Sequence, residues 1–351
     1  MIILGIETSC DETALCLIET RNSSNDLLEY RILSNIIYSQ IETHREYGGV
    51  FPMLAKREHI KNLPILYEKV LKEACIDENK INKISVTQGP GLEPALWTGI
   101  LFAKELGNRL GVPIIPTNHM EGHIISALLS ESKKKEEFQI LSPIKFPALA
   151  ILISGGHTEI VKIMKLGEYN ILGSTVDDAI GEAFDKVARM LGLPYPGGPE
   201  ISRLAEIARE KNIKNEIKLP RPMLHSKDLN FSFSGLKTAV LYTLRKIENI
   251  NENQRCDIAR EFENAVTDVL ISKTKMAIEE NEINTLIIGG GVTANKYIRK
   301  AFERLASENS ITIYMPIIKL SGDNALMIAL LGAIKPSTNV EGFRAEGNMS
   351  L

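Results

Sequence analysis

The chain has 351 residues, 44% of them hydrophobic and 24% charged, with a formal net charge of −3. That length suggests about two domains with room for a sizeable core, and the near-neutral balance excludes an overall basic field, so any RNA contact needs a local patch or a partner subunit. No apolar run approaches a membrane-spanning length, and Cys10, Cys16, Cys75 and Cys256 form neither a Cys-x-x-Cys pair nor a metal spacing; the expectation is a cytoplasmic protein in a reducing compartment.

Ile2 to Ile6 predicts a short buried strand, without the basic segment or cleavage site of a signal peptide. The polar turn Glu7-Thr8-Ser9-Cys10-Asp11-Glu12-Thr13 follows, and Ala14 to Ile18 returns as a second strand. Such a hairpin can present amides and hydroxyls to a ligand. Ile84 to Gln88 is a strand ending in Gly89-Pro90-Gly91, and a helix runs from about Glu93 to Leu110, stopped by Gly111 and Pro113. A short strand, Ile114 to Pro116, leads into Asn118-His119-Met120-Glu121-Gly122-His123.

His119 and His123 are two of only six histidines. Four apart on a helix, they share one face at about 6 Å between Cβ atoms, within reach of one divalent cation. The bland alternative is a helix start with two solvated histidines. The order His-x-Glu-x-His is not the protease signature His-Glu-x-x-His, and Glu121 points off the shared face. Asp323, in Ser321-Gly322-Asp323-Asn324, is the best third ligand, although an Asp before an apolar helix is also an ordinary N-cap.

Ser130 to Ser142 is a charged connector in which Lys133, Lys134 and Lys135 are a candidate RNA contact. The opening pattern then recurs: strand Ala148 to Ile153, turn Ser154-Gly155-Gly156-His157-Thr158, strand Glu159 to Ile163. Two like hairpins suggest an internal duplication, with two lobes and a ligand cleft between them. A helix is expected from Asp177 to Leu191, then a Gly- and Pro-rich loop, Pro194 to Pro199, too irregular for helix or strand. Further helices are expected from about Glu200, over 236–247 and over 254–281, with an irregular stretch from Pro220 to Gly235. Strand Thr285 to Ile288 enters Gly289-Gly290-Gly291-Val292-Thr293-Ala294-Asn295 and a helix to Ala306, a site for anions or nucleotide edges that is neither a dinucleotide fingerprint nor a Walker loop. A last strand, Ile311 to Tyr314, precedes a final helix opened by Asp323 and running to about Ile334.

Taken together, Gly5-Ile6-Glu7-Thr8-Ser9-Cys10-Asp11-Glu12-Thr13, Tyr47-Gly48-Gly49-Val50, His119-Met120-Glu121-Gly122-His123, Ser154-Gly155-Gly156-His157-Thr158, Gly181 to Lys186, Tyr195 to Pro199, Phe231 to Thr238, Gly289 to Asn295 and Asp323-Asn324 resemble, in order, the motifs of the bacterial TsaD-type tRNA threonylcarbamoyladenosine transferases, once labelled O-sialoglycoprotein endopeptidases. The resemblance implies an α/β duplicated actin-like ATPase fold, related to Hsp70 and sugar kinases: an N-terminal lobe over 1–140, with a C-terminal helix at 325–340 packing back on it, and a second lobe over 141–324. It places metal ligands at His119, His123 and Asp323, which meets the reading of the residues themselves, and acyl-adenylate contacts at Leu152, Ile153, Ser154, Gly155, Gly156, Asp185, Gly198 and Asn295. Without the resemblance, Asp185 reads as a surface residue pairing with Arg189 at i+4. Ser202 stands where many relatives carry a ligand-contacting Asp.

The implied reaction moves the threonylcarbamoyl group of L-threonylcarbamoyl adenylate to N6 of adenosine 37 in tRNAs reading codons that begin with A, releasing AMP and forming t6A. The cofactor is one divalent metal, iron(II) ahead of zinc, and Asp11 or Glu12 is the expected proton acceptor. Implied partners are tRNA, an inactive TsaB-like paralogue and a small TsaE-like ATPase, with no membrane. The alternatives are a metal-dependent glycoprotease and a nonenzymatic nucleotide-binding scaffold.

Overall fold

Strand β1 (Ile2–Glu7) is buried over five of its six residues. A run without alternation marks a strand covered on both faces, and in the computed structural model β1 lies inside a mixed sheet. The structure describes residues 1–22, 27–130, 137–336 and 342–351; Lys133, Lys134 and Lys135 lie outside them. The described chain divides into two units, Met1–Pro143 with Gly322–Leu351, and Ile144–Ser321.

After β1 come β2 (Glu12–Asn22), β3 (Leu28–Ser39), a short helix α1 (Ile41–Arg45), α2 (Pro52–Ala74), β4 (Lys83–Gly89), α3 (Glu93–Leu110), β5 (Ile114–Asn118), α4 (His119–Ala127) and β6 (Gln139–Ile140). The second unit holds β7 (Ala148–Ile153), β8 (Thr158–Lys165), β9 (Glu168–Ser174), α5 (Ile180–Met190), α6 (Gly197–Glu210), α7 (Ser234–Arg245), α8 (Glu252–Asn281), β10 (Thr285–Gly289), α9 (Lys296–Glu308) and β11 (Thr312–Tyr314). Helix α10 (Ala325–Ile334) belongs to the first unit. The return to that unit falls at Gly322, before Asp323 rather than after Asn324.

The sheets run β5-β4-β1-β2-β3-β6 and β11-β10-β7-β8-β9. In the first, β1, β2 and β3 pair antiparallel while β1, β4 and β5 pair parallel. In the second, β7, β8 and β9 repeat the antiparallel part and β7, β10 and β11 the parallel part. Five strands of each unit therefore share one order and one set of directions, and in both the first hairpin carries the candidate turn. Each unit has its own apolar core.

Three expected boundaries shift, each for a local reason. Helix α5 starts at Ile180 instead of Asp177. Asp177 instead accepts hydrogen bonds from the hydroxyls of Ser232 (2.5 Å) and Ser234 (2.6 Å) and from the amides of Phe233 (2.8 Å) and Ser234 (3.2 Å), while Asp178 pairs with Lys186 and Lys237. Helix α6 starts inside the Gly-Pro segment, at Gly197. Pro199 sits in the first turn, where no intrahelical donor is required, and a Cβ at Gly197 would fall 2.4 Å from Ala188 Cβ, so glycine lets α6 approach α5. Helix α10 ends at Ile334, where the residue pattern puts it and short of the 340 taken with the resemblance, because Lys335 takes an extended backbone conformation.

Helix α10 packs on β1, β2 and β4, and its residues Ala325 to Gly332 are all buried. Contact with β1 depends on Gly5: a Cβ there would sit 2.3 Å from the Ala325 carbonyl oxygen and 2.7 Å from the Ala329 nitrogen. Gly5→Ala is expected to lower unfolding free energy by about 1–3 kcal/mol, the usual cost of overpacking, read as a lower urea midpoint. A second expectation concerns Asp177. Burial raises its pKa, but two serine hydroxyls and two amides more than offset that and hold it below the ordinary carboxylate range. A depressed carboxylate stabilises the fold above its unfolded-state pKa of about 3.9 and loses that contribution as pH falls through the folded-state value. Asp177→Asn should therefore lower the urea midpoint at pH 7, and the gap to the unsubstituted protein should shrink below about pH 4.

Candidate functional site

Helix α4 begins where it does because Asn118 caps it, its Oδ1 accepting from the amides of Met120 (2.8 Å) and Glu121 (3.2 Å). The Asn118 side-chain amide donates in turn to the Ser350 carbonyl (3.0 Å), in a tail segment whose Glu346 and Gly347 bond to Gln88 and Gly91. All nine residues of α4 are buried. The His119 and His123 rings lie on one face with centroids 4.6 Å apart.

Asp323 does not cap α10. The cap is Asn324, whose side chain accepts from the Met327 amide (3.1 Å). The Asp323 carboxylate instead turns to the rings: its Oδ1 is 3.3 Å from Nε2 of His119 and 3.3 Å from Nε2 of His123. All three candidate ligand atoms lie within 4.8 Å of one another. Donors about 2.1 Å from a shared cation are roughly 3.0–3.4 Å apart at ordinary coordination angles. Both ring nitrogens of His123 are buried without a hydrogen-bond partner, so the approach of Asp323 is a charge contact outside hydrogen-bond geometry. An unsatisfied buried nitrogen costs about 1–3 kcal/mol; a divalent ion would satisfy Nε2 and bind next to the carboxylate. The donor set thus fits a metal. Glu121 leaves this face and pairs with Lys335 at 2.5 Å.

Behind His119 stands Glu7, fully buried at the end of β1. Its Oε2 is 3.0 Å from His119 Nδ1 and accepts from the Thr87 hydroxyl (2.6 Å), while Oε1 accepts from the Ser9 amide (2.5 Å). A carboxylate on the far ring nitrogen fixes tautomer and orientation and makes imidazole a better ligand. Burial opposes charge on His119, but Asp323 and Glu7 outweigh it and raise its pKa well above the ordinary imidazole range. Burial keeps His123 below that range. Asp323 is held far below the carboxylate range because the two rings overcome its burial.

Of the expected proton acceptors, Asp11 is buried and Glu12 partly so. Burial, reinforced by Asp11 and Asp323, lifts the Glu12 pKa well above the carboxylate range. Their loop is braced from below by His59, whose Nδ1 meets the Thr13 hydroxyl (2.8 Å) and whose Nε2 donates to the Cys10 carbonyl (3.0 Å). His59 and His44 are fully buried.

In the second unit, a cavity of about 420 Å³ is lined by Gly155, Phe184, Asp185, Gly198, Asn295 and neighbouring residues of α5, α6 and the turn before α9. Gly155, Asp185, Gly198 and Asn295 thus meet at one place. Leu152 and Ile153 are core residues whose backbones pair with β8, and the Ser154 hydroxyl accepts from the His157 amide (3.1 Å); neither they nor Gly156 are among the residues lining the cavity. Asp185 Oδ1 accepts from the Gly197 amide (2.7 Å) at the start of α6. Asn295 caps α9, accepting from Tyr297 (2.9 Å) and Ile298 (3.0 Å), and donates to buried Glu263 (2.6 Å). Glu263 also pairs with Arg209. Glu7 and Glu263 do not stand out by sequence reasoning, since neither shares a helical spacing with the residue it supports.

A model of the TsaD family, tRNA N6-adenosine threonylcarbamoyltransferase, matches residues 31–330. The chain is 46% identical over 332 residues to the tRNA N6-adenosine threonylcarbamoyltransferase of Thermosipho africanus (strain TCF52B), covering 95% of this chain and 93% of that one. It is 42% identical over 347 residues to that of Herminiimonas arsenicoxydans, covering 99% and 95%. Among solved structures it resembles component A of (R)-2-hydroxyglutaryl-CoA dehydratase from Acidaminococcus fermentans (TM-score 0.51, 13% identity, 95% and 97% covered). It also resembles full-length HypF in its phosphate- and nucleotide-bound form (TM-score 0.53, 15% identity, 95% of this chain and 46% of that one). These likenesses show the duplicated actin-like ATPase fold. With the family model spanning most of the chain and relatives matching nearly end to end, the chain belongs to the tRNA N6-adenosine threonylcarbamoyltransferase family.

Proposed function

We propose that this protein transfers the threonylcarbamoyl group of L-threonylcarbamoyl adenylate to N6 of adenosine 37 in tRNAs reading codons that begin with A, with release of AMP. The observation that carries the reading is the buried set His119, His123 and Asp323, with Glu7 on the outer nitrogen of His119. Two imidazoles and one carboxylate suit iron(II), with zinc second. Bound there, the ion supplies Lewis-acid stabilisation of charge on the donor's oxygens.

The protein's own groups do the rest. His119 is held in one tautomer by Glu7, and Asn324 keeps Asp323 out of the helix cap. The glycine-lined cavity, with Gly155, Asp185, Gly198 and Asn295 on its walls, is assigned to the adenylate's nucleoside; the amides of Ser154, Gly155 and Gly156 are assigned to its anionic part. Glu12 or Asp11, on the hairpin turn after β1, is assigned the uptake of a proton from the attacking amine. Such help is typically worth about 10²–10⁴-fold. A weak amine nucleophile on a splayed anticodon-loop base fits the recognition of single-stranded RNA by extrusion. A TsaB-like paralogue and a TsaE-like ATPase are the proposed partners, and cytoplasm the proposed location; among the described residues no helix is long and apolar enough to cross a membrane.

The glycoprotease alternative requires a Glu directly after the first histidine as general base, and Met120 stands there. Glu121, the acid nearest the histidines in sequence, is committed to Lys335.

Three experiments test the proposal. Unmodified tRNA, a threonylcarbamoyl-adenylate synthase and the proposed partners, incubated with the protein, should yield t6A by mass spectrometry; absence of t6A with an active partner set would refute the assignment. His119→Ala, His123→Ala and Asp323→Ala should each lose bound metal and t6A formation. Glu7→Gln should keep the site but weaken metal affinity by about 10–100-fold, read by competition with a chelator, and unchanged affinity would remove Glu7 from the centre.

A further inference from the structure

The turn that leads into Asp11 and Glu12 is held at successive carbonyl oxygens by different parts of the first unit. The Ser9 carbonyl accepts from the Leu92 amide (2.7 Å), just before α3, and the Asp11 carbonyl accepts from the Gln40 amide (2.9 Å), just after β3. The Cys10 carbonyl between them accepts from a side chain, Nε2 of His59 (3.0 Å) in α2. The outer two contacts are backbone to backbone. The middle one depends on a single imidazole.

That imidazole is itself fixed. A carbonyl cannot donate, so Nε2 carries the proton, and burial pushes the ring's pKa below the ordinary imidazole range and keeps it neutral. Nδ1 is then an acceptor, and it faces the Thr13 hydroxyl (2.8 Å) and the Gln40 side-chain amide (3.3 Å). Gln40 is oriented in turn. Its Oε1 accepts from Nε2 of His44 (3.1 Å), and His44 Nδ1 accepts from the Phe51 amide (3.3 Å). Thr13, Gln40, His44 and His59 are all fully buried. From the Phe51 amide to the Cys10 carbonyl every donor points the same way, so each tautomer is set by its neighbour. A buried polar network with its members satisfied is rigid and holds one arrangement. The Tyr47-Gly48-Gly49-Val50 motif gains a part here: Gly48, at φ +64°, lets the chain turn after α1 and bring the Phe51 amide back to His44.

We propose that His59 is a positioning residue for the transfer step: through the Cys10 carbonyl it sets the backbone from which the Asp11 and Glu12 carboxylates reach the attacking amine, and Gln40 and His44 set His59. The inference rests on the reading of Asp11 or Glu12 as the proton acceptor and names what aims it. His59 itself carries no proton in the reaction, because both its nitrogens are engaged within the fold.

The test uses the full chain with its proposed partners, the synthase and unmodified tRNA. His59→Gln can still donate to the Cys10 carbonyl from near the place of Nε2; His59→Asn reaches only the Thr13 side. A misplacement of about 1 Å can cost about 100-fold in rate, so His59→Asn should lower kcat by roughly 10–100-fold, with KM for tRNA and metal content unchanged. His59→Gln should recover most of the rate. In a chain carrying Asp11→Asn and Glu12→Gln, His59→Asn should cost nothing further, because residues that act through one another are not additive. A histidine that only supports the fold would cost the same factor in either background. Thr13→Val, which removes only the hydroxyl on Nδ1, repeats the cycle should His59→Asn fail to fold, and is expected to give a smaller loss of the same kind. Full kcat in the folded variant, or an additive loss in the carboxylate-free background, overturns this inference while leaving the acceptor reading standing. An undiminished rate in the Asp11→Asn, Glu12→Gln chain overturns both.

Discussion

Everything at the proposed metal centre depends on which of two neighbouring residues caps the last helix. Asn324 supplies the side-chain acceptor that α10 needs, and the carboxylate one residue earlier is left to approach two imidazoles. Had Asp323 taken the cap, its charge would be spent on backbone amides and His123 would face no anion. A similar economy holds α4: Asn118 satisfies the helix start, so His119, the first helical residue, keeps both nitrogens for Glu7 and for Asp323.

The second unit uses the same device. Asn295 caps α9, Asp185 binds the start of α6, and buried Glu263 locks Asn295 while pairing with Arg209. In both units, polar residues at helix starts decide which side chains stay available for chemistry. The sheets beneath them share strand order and direction over five strands each, and the glycines at their contacts permit close packing. Gly290 at the end of β10, with φ of +94°, would bring a Cβ to 2.4 Å from the Ile153 carbonyl.

Much of this was legible from residues alone. The hairpins, the helix from Glu93 to Leu110 and the glycine turn after Ile288 announce themselves by apolar runs and by Gly and Pro punctuation. The paired histidines do so by spacing. Other features carry no such local signal. Strands β3 and β9 extend hairpins whose outer faces are partly exposed, so apolar patterning is weak there. The start of α5 is displaced from Asp177 by donors about 55 residues away at Ser232 and Ser234. The Gly-Pro segment before Glu200 opens a helix because Asp185, on the preceding helix, supplies the missing acceptor for Gly197. Glu7 joins the His119 cluster through a contact that no periodicity encodes.

The order of the ligands along the chain has a consequence for biosynthesis. His119 and His123 leave the ribosome with the first unit, but Asp323 follows only after the whole of Ile144–Ser321 has been made. Until then the histidine helix lacks its carboxylate and β1 lacks the helix that covers Gly5. The nascent first unit therefore waits, incomplete, while an entire second core is synthesised, and the proposed three-ligand set can assemble only late, with the return of the polypeptide and not with the emergence of the imidazoles.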